Sequence, residues 1–426
     1  MLDIKVVREN PELVKENIKK KFQDQKLPLV DEVIELDKKI RELKATGDEL
    51  RKERNSTSDS IGLLMREKQI DEANAMKQKV TEINGKLVDI EKEEQELSIP
   101  FKEKMMVIPN IIADDVPIGK DDSENVEVEK FGEAFVPSFE IPYHAEIIEY
   151  FNGLDKEAAG RTSGNGFYFL QGDIARLHSA VLSYARDFMI DKGFNYCIPP
   201  FMIRSDVVTG VMSFAEMDAM MYKIENEDLY LIGTSEHSVI GKFKDQILKE
   251  QELPVKMTSY SPCFRKEVGA HGIEERGIYR VHQFEKQEMV VICKPEESMD
   301  WYNKMWSYTV EFFRSLDVPV RTLECCSGDL ADLKVKSVDI EAWSPRQQKY
   351  FEVGSCSNLG DAQARRLGIR SKIDGENTLL HTLNNTVIAS PRGLIAMIEA
   401  NYQEDRTVRI PKALQPYMGG KEVIKL

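Results

Sequence analysis

Apolar residues along positions 31–97 follow a heptad rhythm. Leu36, Ile40, Leu43 and Leu50 alternate steps of four and three, with Gly47 filling the remaining seam position. A second run carries Ala73, Met76, Val80, Ile83, Leu87, Ile90 and Leu97 in the same rhythm. Between them lies Asn55–Gly62, rich in helix breakers, which is expected to form a polar tip. Two heptad helices joined by a turn predict an antiparallel coiled-coil hairpin. A helix of about 25–30 residues reaches roughly 40 Å at 1.5 Å per residue. Periodicity alone also fits a dimerisation coiled coil, but the short first run and the polar tip favour an arm folded on itself. Phe101–Pro137, with Pro109, Pro117 and Gly119 among its turn formers, is expected to be a linker.

From about Gly160 the period changes. Strand-like stretches recur at Gly166–Leu170, Asp228–Ile232, Tyr279–Phe284, Glu288–Cys293, Val335–Trp343 and Tyr350–Ser355. Longer helical stretches fall at Ile174–Lys192, Glu296–Leu316 and Gly393–Asn401. Strands with short connections and helices clustered outside them predict an α+β domain on an antiparallel sheet. No GxGxxG or GxxxxGK[ST] occurs, which argues against the two common parallel-sheet nucleotide folds. Lys256-Met257-Thr258-Ser259 reads as an ordinary connection.

Composition narrows the class. The 426 residues carry 58 Lys+Arg and 73 Asp+Glu, a formal charge of −15, so any nucleic-acid partner must be met by a local basic surface. On the hairpin that surface would be the stripe Lys38, Arg41, Lys44, Arg51, Lys52 and Arg54. No stretch approaches the ~18 apolar residues of a membrane span. The first residues are charged from Asp3 on and lack the apolar core of a signal peptide, so a cytoplasmic protein is expected. The six Cys contain no CxxC; adjacent Cys325 and Cys326 are expected to be buried, and His237, His271 and His282 to be structural.

The richest chemistry lies in Ser261–Met289, which reads as strand, glycine-containing loop (Gly269, Gly272, Gly277) and strand. Phe264-Arg265-Lys266-Glu267 ends the first strand, and His282-Gln283-Phe284 with Glu288 lies on the second. Such a hairpin can hold a nucleotide flat: a guanidinium grips phosphate bidentately, and an aromatic face takes the purine. Thr234 and Glu236 share a face if extended, as do Asp339 and Glu341.

This hairpin resembles motif 2 of class II aminoacyl-tRNA synthetases (about residues 261–289), in the form used by seryl-tRNA synthetases. The likeness covers nearly the whole chain. Asp191-Lys192-Gly193-Phe194 through Pro199-Pro200-Phe201 resembles motif 1 (about 191–202), and Leu383–Gln403 resembles motif 3. The resemblance implies an N-terminal tRNA-binding domain at 1–105 with the helical arm, and a class II catalytic domain at 106–426 whose antiparallel β-sheet is flanked by helices. It implies a homodimer through motif 1, with L-serine, ATP, Mg²⁺ and tRNA(Ser) as the molecules bound; selenocysteine tRNA is left open.

By resemblance, Arg265 bridges the serine carboxylate and the α-phosphate, Phe284 stacks on adenine, and Val281 meets the nucleotide through its main chain. Lys266 and Glu267 join the ATP set. Glu288 accepts from the serine hydroxyl, with Thr234, Glu236 and Thr386 completing the amino-acid pocket. Glu352 and Ser355, beside Val353 and Gly354 on the ATP, hold Mg²⁺, and Arg392 faces the γ-phosphate or pyrophosphate. Arg265, Glu352 and Arg392 are thus the implied catalytic set. Lys38, Arg41, Lys44, Arg51 and Arg54 are the implied tRNA contacts. Gln363 follows in the family manner as fold support. Gly354 departs from the usual Ser and is expected to loosen the strand or admit a water, and Thr386, Asn385 and Val387 replace smaller residues. Two other readings compete. One is a related ligase that loads a small amino acid onto a carrier protein, against which the long arm counts. The other is a non-catalytic RNA-binding paralogue, against which the retained Arg265, Glu288, Glu352 and Arg392 count.

Overall fold

A computed structural model of the chain describes residues 1–267 and 277–426. Gly269, Gly272 and His271 fall outside the described residues. The chain divides into two compact units, Met1–Pro109 and Asn110–Leu426.

The first unit holds short helices Ile4–Glu9 and Pro11–Lys20, then two long ones, Leu27–Arg66 and Ile70–Val107. At 1.5 Å per residue the long helices run roughly 55–60 Å. Every seam residue named from the heptads is buried or half-buried, and the polar faces are wet. Ion pairs lace the two helices together: Arg51 with Glu91 at 3.1 Å, Lys44 with Glu94 at 3.4 Å, and Lys79 with Glu53 at 2.7 Å. Asp37 is buried and accepts from Arg8 of the first short helix and from Arg41 one turn on.

The expected tip is corrected. Asn55–Gly62 is helical, and the turn falls at residues 67–69, where Lys68 has φ +62°. Thr57 is buried in the seam, so the packed stripe carries the helix through residues of poor intrinsic propensity. The expected linker is corrected at both ends. The second long helix passes residue 105, with Pro100 inside it, because Met105 and Met106 are buried. Farther on, Val126–Phe131 forms an edge strand.

The second unit is built on an eight-stranded sheet. In chain order its strands are β1 (Val126–Phe131), β2 (Asn195–Cys197), β3 (Val255–Phe264), β4 (Gln283–Cys293), β5 (Val320–Glu324), β6 (Lys336–Ser344), β7 (Lys349–Asn358) and β8 (His381–Ser390). They are ordered β1-β5-β6-β7-β8-β4-β3-β2, and every pairing is antiparallel except β2 with β3. Lys256–Ser259 is therefore not a connection but part of the first half of β3; Met257, Thr258 and Ser259 are buried and the stretch pairs with β4.

Helices Gly172–Asp191 and Ser298–Ser315 pack together over one face, with Tyr184 stacked on Phe312 at 5.3 Å. The latter is tied to the sheet, as Thr309 Oγ1 donates to the Thr386 carbonyl and Asn385 Nδ2 donates to the Met305 carbonyl. Asn385 thus anchors β8 to its covering helix instead of lining a pocket. The other face of the sheet carries the polar residues.

Two β-bulges set that polar face. On β7, Ile340 pairs with Gly354 and Glu341 with Glu352, leaving Val353 extra. On β8, Thr386 pairs with Glu288 and Ile388 with Gln287, leaving Val387 extra. A bulge resets the alternation of a strand, so residues three apart (Glu352 and Ser355, Thr386 and Ala389) come to one side.

Candidate active site

Two adjoining cavities open on this face. One, of about 280 Å³, is lined by Arg265, Glu267, Tyr279, Val281, Phe284, Val353, Gly354 and Arg392 among others. Its neighbour, of about 390 Å³, is lined by Thr234, Glu236, His237, Glu288, Lys334, Asp339, Ser355 and Asn384 among others. Arg265, Lys286, Glu352 and Thr386 line both.

In the first cavity the cations sit over aromatic faces. Arg392 lies 4.6 Å from the Tyr279 ring centre and Arg265 lies 5.3 Å from that of Phe284. Arg392 Nη1 donates to Glu352 Oε2 at 3.1 Å. Arg265 Nε donates to the Gly233 carbonyl. Glu267, at φ +49°, pairs with Arg280. Gly277, at φ +87°, sits where a Cβ would lie 2.3 Å from His144 Nε2. Lys266 departs from expectation: it lines neither cavity, and its Nζ donates to the Asp218 carbonyl.

The second cavity is predominantly acidic. Thr234 is extended but Glu236 is not: the chain turns helical at Ser235. Thr234 caps the Ser235–Gly241 helix, accepting from the Glu236 amide, and the helix start itself aims both at the cavity. Ser259 Oγ donates to Ser235 Oγ at 2.7 Å and pins that helix to β3. Gln363 Nε2 donates to Glu236 Oε1 at 2.8 Å, and Thr382 Oγ1 in turn donates to Gln363. The Gln363 amide therefore orients Glu236, beyond the fold support expected of it. Burial, with the Glu288 charge beside it, raises the Glu236 carboxyl to about 7.

Burial likewise pushes Glu288 up, opposed by the Lys286 ammonium 2.5 Å away. A buried pair of this kind adds little net stability, but stripping one partner costs roughly 3–5 kcal/mol. Glu288 lines the cavity with its carboxylate held by the Lys286 ammonium. His237 is driven to about 3 by burial and by the Arg265 and Lys286 charges, and stays neutral.

Asp339 and Glu341 part company. Glu341 pairs with Arg321 at 2.6 Å, while Asp339 enters the cavity, its carboxyl raised to about 6 by burial and by the like charge of Glu352. Glu352, Asp339 and the Ser355 hydroxyl offer an all-oxygen donor set with two mutually repelling carboxylates, which fits a hard divalent cation. Cys325, also in this cavity, is held as a neutral thiol by burial, and the half-buried Lys334 ammonium supplies positive charge there. Gly354 does not loosen its strand. A Cβ there would come 3.3 Å from the Thr386 carbonyl, so glycine lets β7 and β8 approach. Lys286, Asp339 and Gln363 are the site residues that sequence reasoning missed. Lys286 had a readable sign, standing two residues before Glu288 on a strand.

Of the residues proposed on the arm, Arg41, Lys44 and Arg51 are engaged in ion pairs within it, Arg54 donates to Asn55, and Lys38 is exposed.

A mostly antiparallel sheet with two arginines and a carboxylate converging on one cavity defines a class II aminoacyl-tRNA synthetase core. Residues 221–401 match the family model of the tRNA synthetase class II core domain (G, H, P, S and T), and residues 1–112 match that of the seryl-tRNA synthetase N-terminal domain. The chain belongs to the serine–tRNA ligases, the seryl-tRNA synthetase family: it is 40% identical to the serine–tRNA ligase of Methanospirillum hungatei over the full length of both chains. It is also 40% identical to that of Thermococcus sibiricus, over all of this chain and 98% of the relative. Its fold matches the crystal structure of Pyrococcus horikoshii seryl-tRNA synthetase complexed with ATP at a TM-score of 0.92, with 39% identity and full coverage of both.

Proposed function

We propose that the chain activates L-serine with ATP, forming seryl-adenylate and pyrophosphate, and then transfers serine to the 3′ end of tRNA(Ser). The observation that carries this reading is the shared wall: Arg265 faces both cavities, so a nucleotide in one and an amino acid in the other meet at its guanidinium.

Glu236 and Thr234 receive the serine ammonium, Arg265 its carboxylate, and Glu288 its hydroxyl. Phe284 takes the adenine face, with the Val281, Val353 and Gly354 backbones alongside. The serine carboxylate attacks the α-phosphorus in line. Arg265 stabilises the charge on the α-phosphoryl oxygens, and Arg392 draws the departing pyrophosphate away. Arg392 and Glu352 neutralise each other in the free protein; bound phosphates exchange that partner. Glu352, Asp339 and Ser355 would hold Mg²⁺, which supplies charge neutralisation to the phosphates when bound. No enzyme nucleophile is required, because the substrate carboxylate is itself the nucleophile.

The arm's exposed basic residues approach tRNA, and the pairing of Arg41, Lys44 and Arg51 leaves Lys38 and Arg54 as the stronger contacts. Exposed Ile190, Ile198 and Met202 around the motif 1 stretch support a homodimer through that edge. No helix among the described residues is long and apolar enough to cross a membrane. The match of residues 1–112 disfavours a carrier-protein ligase.

Serine-dependent ATP–pyrophosphate exchange tests the reading. Glu288→Ala is expected to lower kcat/KM for serine by about 3 kcal/mol in the folded enzyme, separately from the stability lost by unpairing Lys286. Ordinary serine kinetics in that variant would remove Glu288 from the pocket.

A further inference from the structure

Lys286 and Glu288 stand two apart on β4, on one face, with side chains 7% and 1% exposed. Lys286 Nζ touches Glu288 Oε2 at 2.5 Å and donates to Thr386 Oγ1 at 3.4 Å. Thr386 is itself the ladder partner of Glu288. One ammonium therefore joins two candidate pocket residues from neighbouring strands, beside the Val387 bulge. A second carboxyl, that of the half-buried Glu236, faces the same cavity. Two carboxylates facing one cavity disfavour each other's charge unless a cation lies between them.

Resting on the serine-activation reading above, we propose that Lys286 is a specificity-determining positioning residue. Its ammonium holds Glu288 and Thr386 in one arrangement, so that a substrate hydroxyl meets a charged acceptor, while an alanine side chain leaves that acceptor unpaired. Discrimination by an unpaired buried polar group exceeds what pocket size alone achieves. Without the ammonium, Glu288 takes up a proton or turns aside, and the pocket reverts to a size filter.

The test is ATP–pyrophosphate exchange by the full-length chain with L-serine and L-alanine. In Lys286→Met the KM for serine is expected to rise about 100-fold, and the serine-to-alanine ratio to fall by a similar factor. The KM for ATP should stay within about threefold, and Lys286→Arg should recover about tenfold of the loss by restoring a cation. In Lys286→Met/Glu288→Gln the losses should not add: with no carboxylate to hold, the double variant performs like Glu288→Gln alone. The double variant also decides the matter if Lys286→Met fails to fold. An unmoved serine-to-alanine ratio, a loss expressed in the KM for ATP, or additive losses in the double variant would each overturn the inference. If the wild type shows no serine-dependent exchange, the activation reading falls and this inference with it. An active wild type with an unmoved ratio in Lys286→Met overturns the inference alone.

Discussion

Lowering the pH from 8 to 6 is expected to weaken serine binding through the Glu236 carboxyl. That group is half-buried, held by Gln363 and near Glu288, and its pKa is raised to about 7. An ammonium substrate needs it ionised. The ionised fraction is about nine-tenths at pH 8 and about one-tenth at pH 6, so the serine KM should rise about tenfold across that span. The assay is ATP–pyrophosphate exchange at saturating ATP. Calorimetry in buffers of different ionisation enthalpy should show about half a proton released on serine binding at pH 7. Glu236→Gln should flatten both signals. His237 is too far below the window to contribute, and Asp339, raised to about 6, sits beside Glu352 and should register in the ATP parameters instead.

The same shift governs stability of the free protein. A carboxyl raised above its unfolded value of 4.5 favours folding when protonated, and that contribution is lost as pH rises through about 7. Glu236 therefore costs roughly 3 kcal/mol at pH 8 and nothing below about pH 4, and Glu236→Gln should melt higher only at the alkaline end. A serine KM that stays level from pH 6 to pH 8, or one that keeps its slope in Glu236→Gln, would refute the reasoning.

Other perturbations probe separate parts of the molecule. Arg392→Gln removes the cation over Tyr279 and should lower exchange kcat about 10³-fold with serine KM nearly constant; a normal kcat would detach Arg392 from the leaving group. Deleting about residues 30–98 should spare serine-dependent exchange and abolish tRNA charging, and equal survival of both activities would deny the arm a tRNA role. Gly354→Ala places a Cβ 3.3 Å from the Thr386 carbonyl and should cost about 1–2 kcal/mol, seen as a lower Tm; an unchanged melt would show that β7 and β8 can separate freely.

The coiled-coil seam was readable because heptad burial depends only on spacing along one helix, and Ile40, Ile83 and Leu87 lie where the rhythm puts them. The turn was misplaced for the same reason: local propensity marks Asn55–Gly62 as a break, while burial of Thr57 against the facing helix keeps it wound. The edge strand Val126–Phe131 escaped notice because its polar alternation becomes a strand only by pairing with β5.

Sequence alone determined which chemical groups the chain carries, the two-helix seam, and pairs such as Lys286 and Glu288 that share a face through simple alternation. Tertiary structure decided the rest. Arg265 and Arg392 face one cavity only because β8 lies beside β4. Glu352 and Ser355 would point oppositely on a regular strand; the Val353 bulge, defined by counting residues against β6, turns them the same way. Ionisation was decided there too: Glu236 is an ordinary carboxyl in the chain and a group near neutrality in the fold, because desolvation and the Glu288 charge act across distances that no local pattern records.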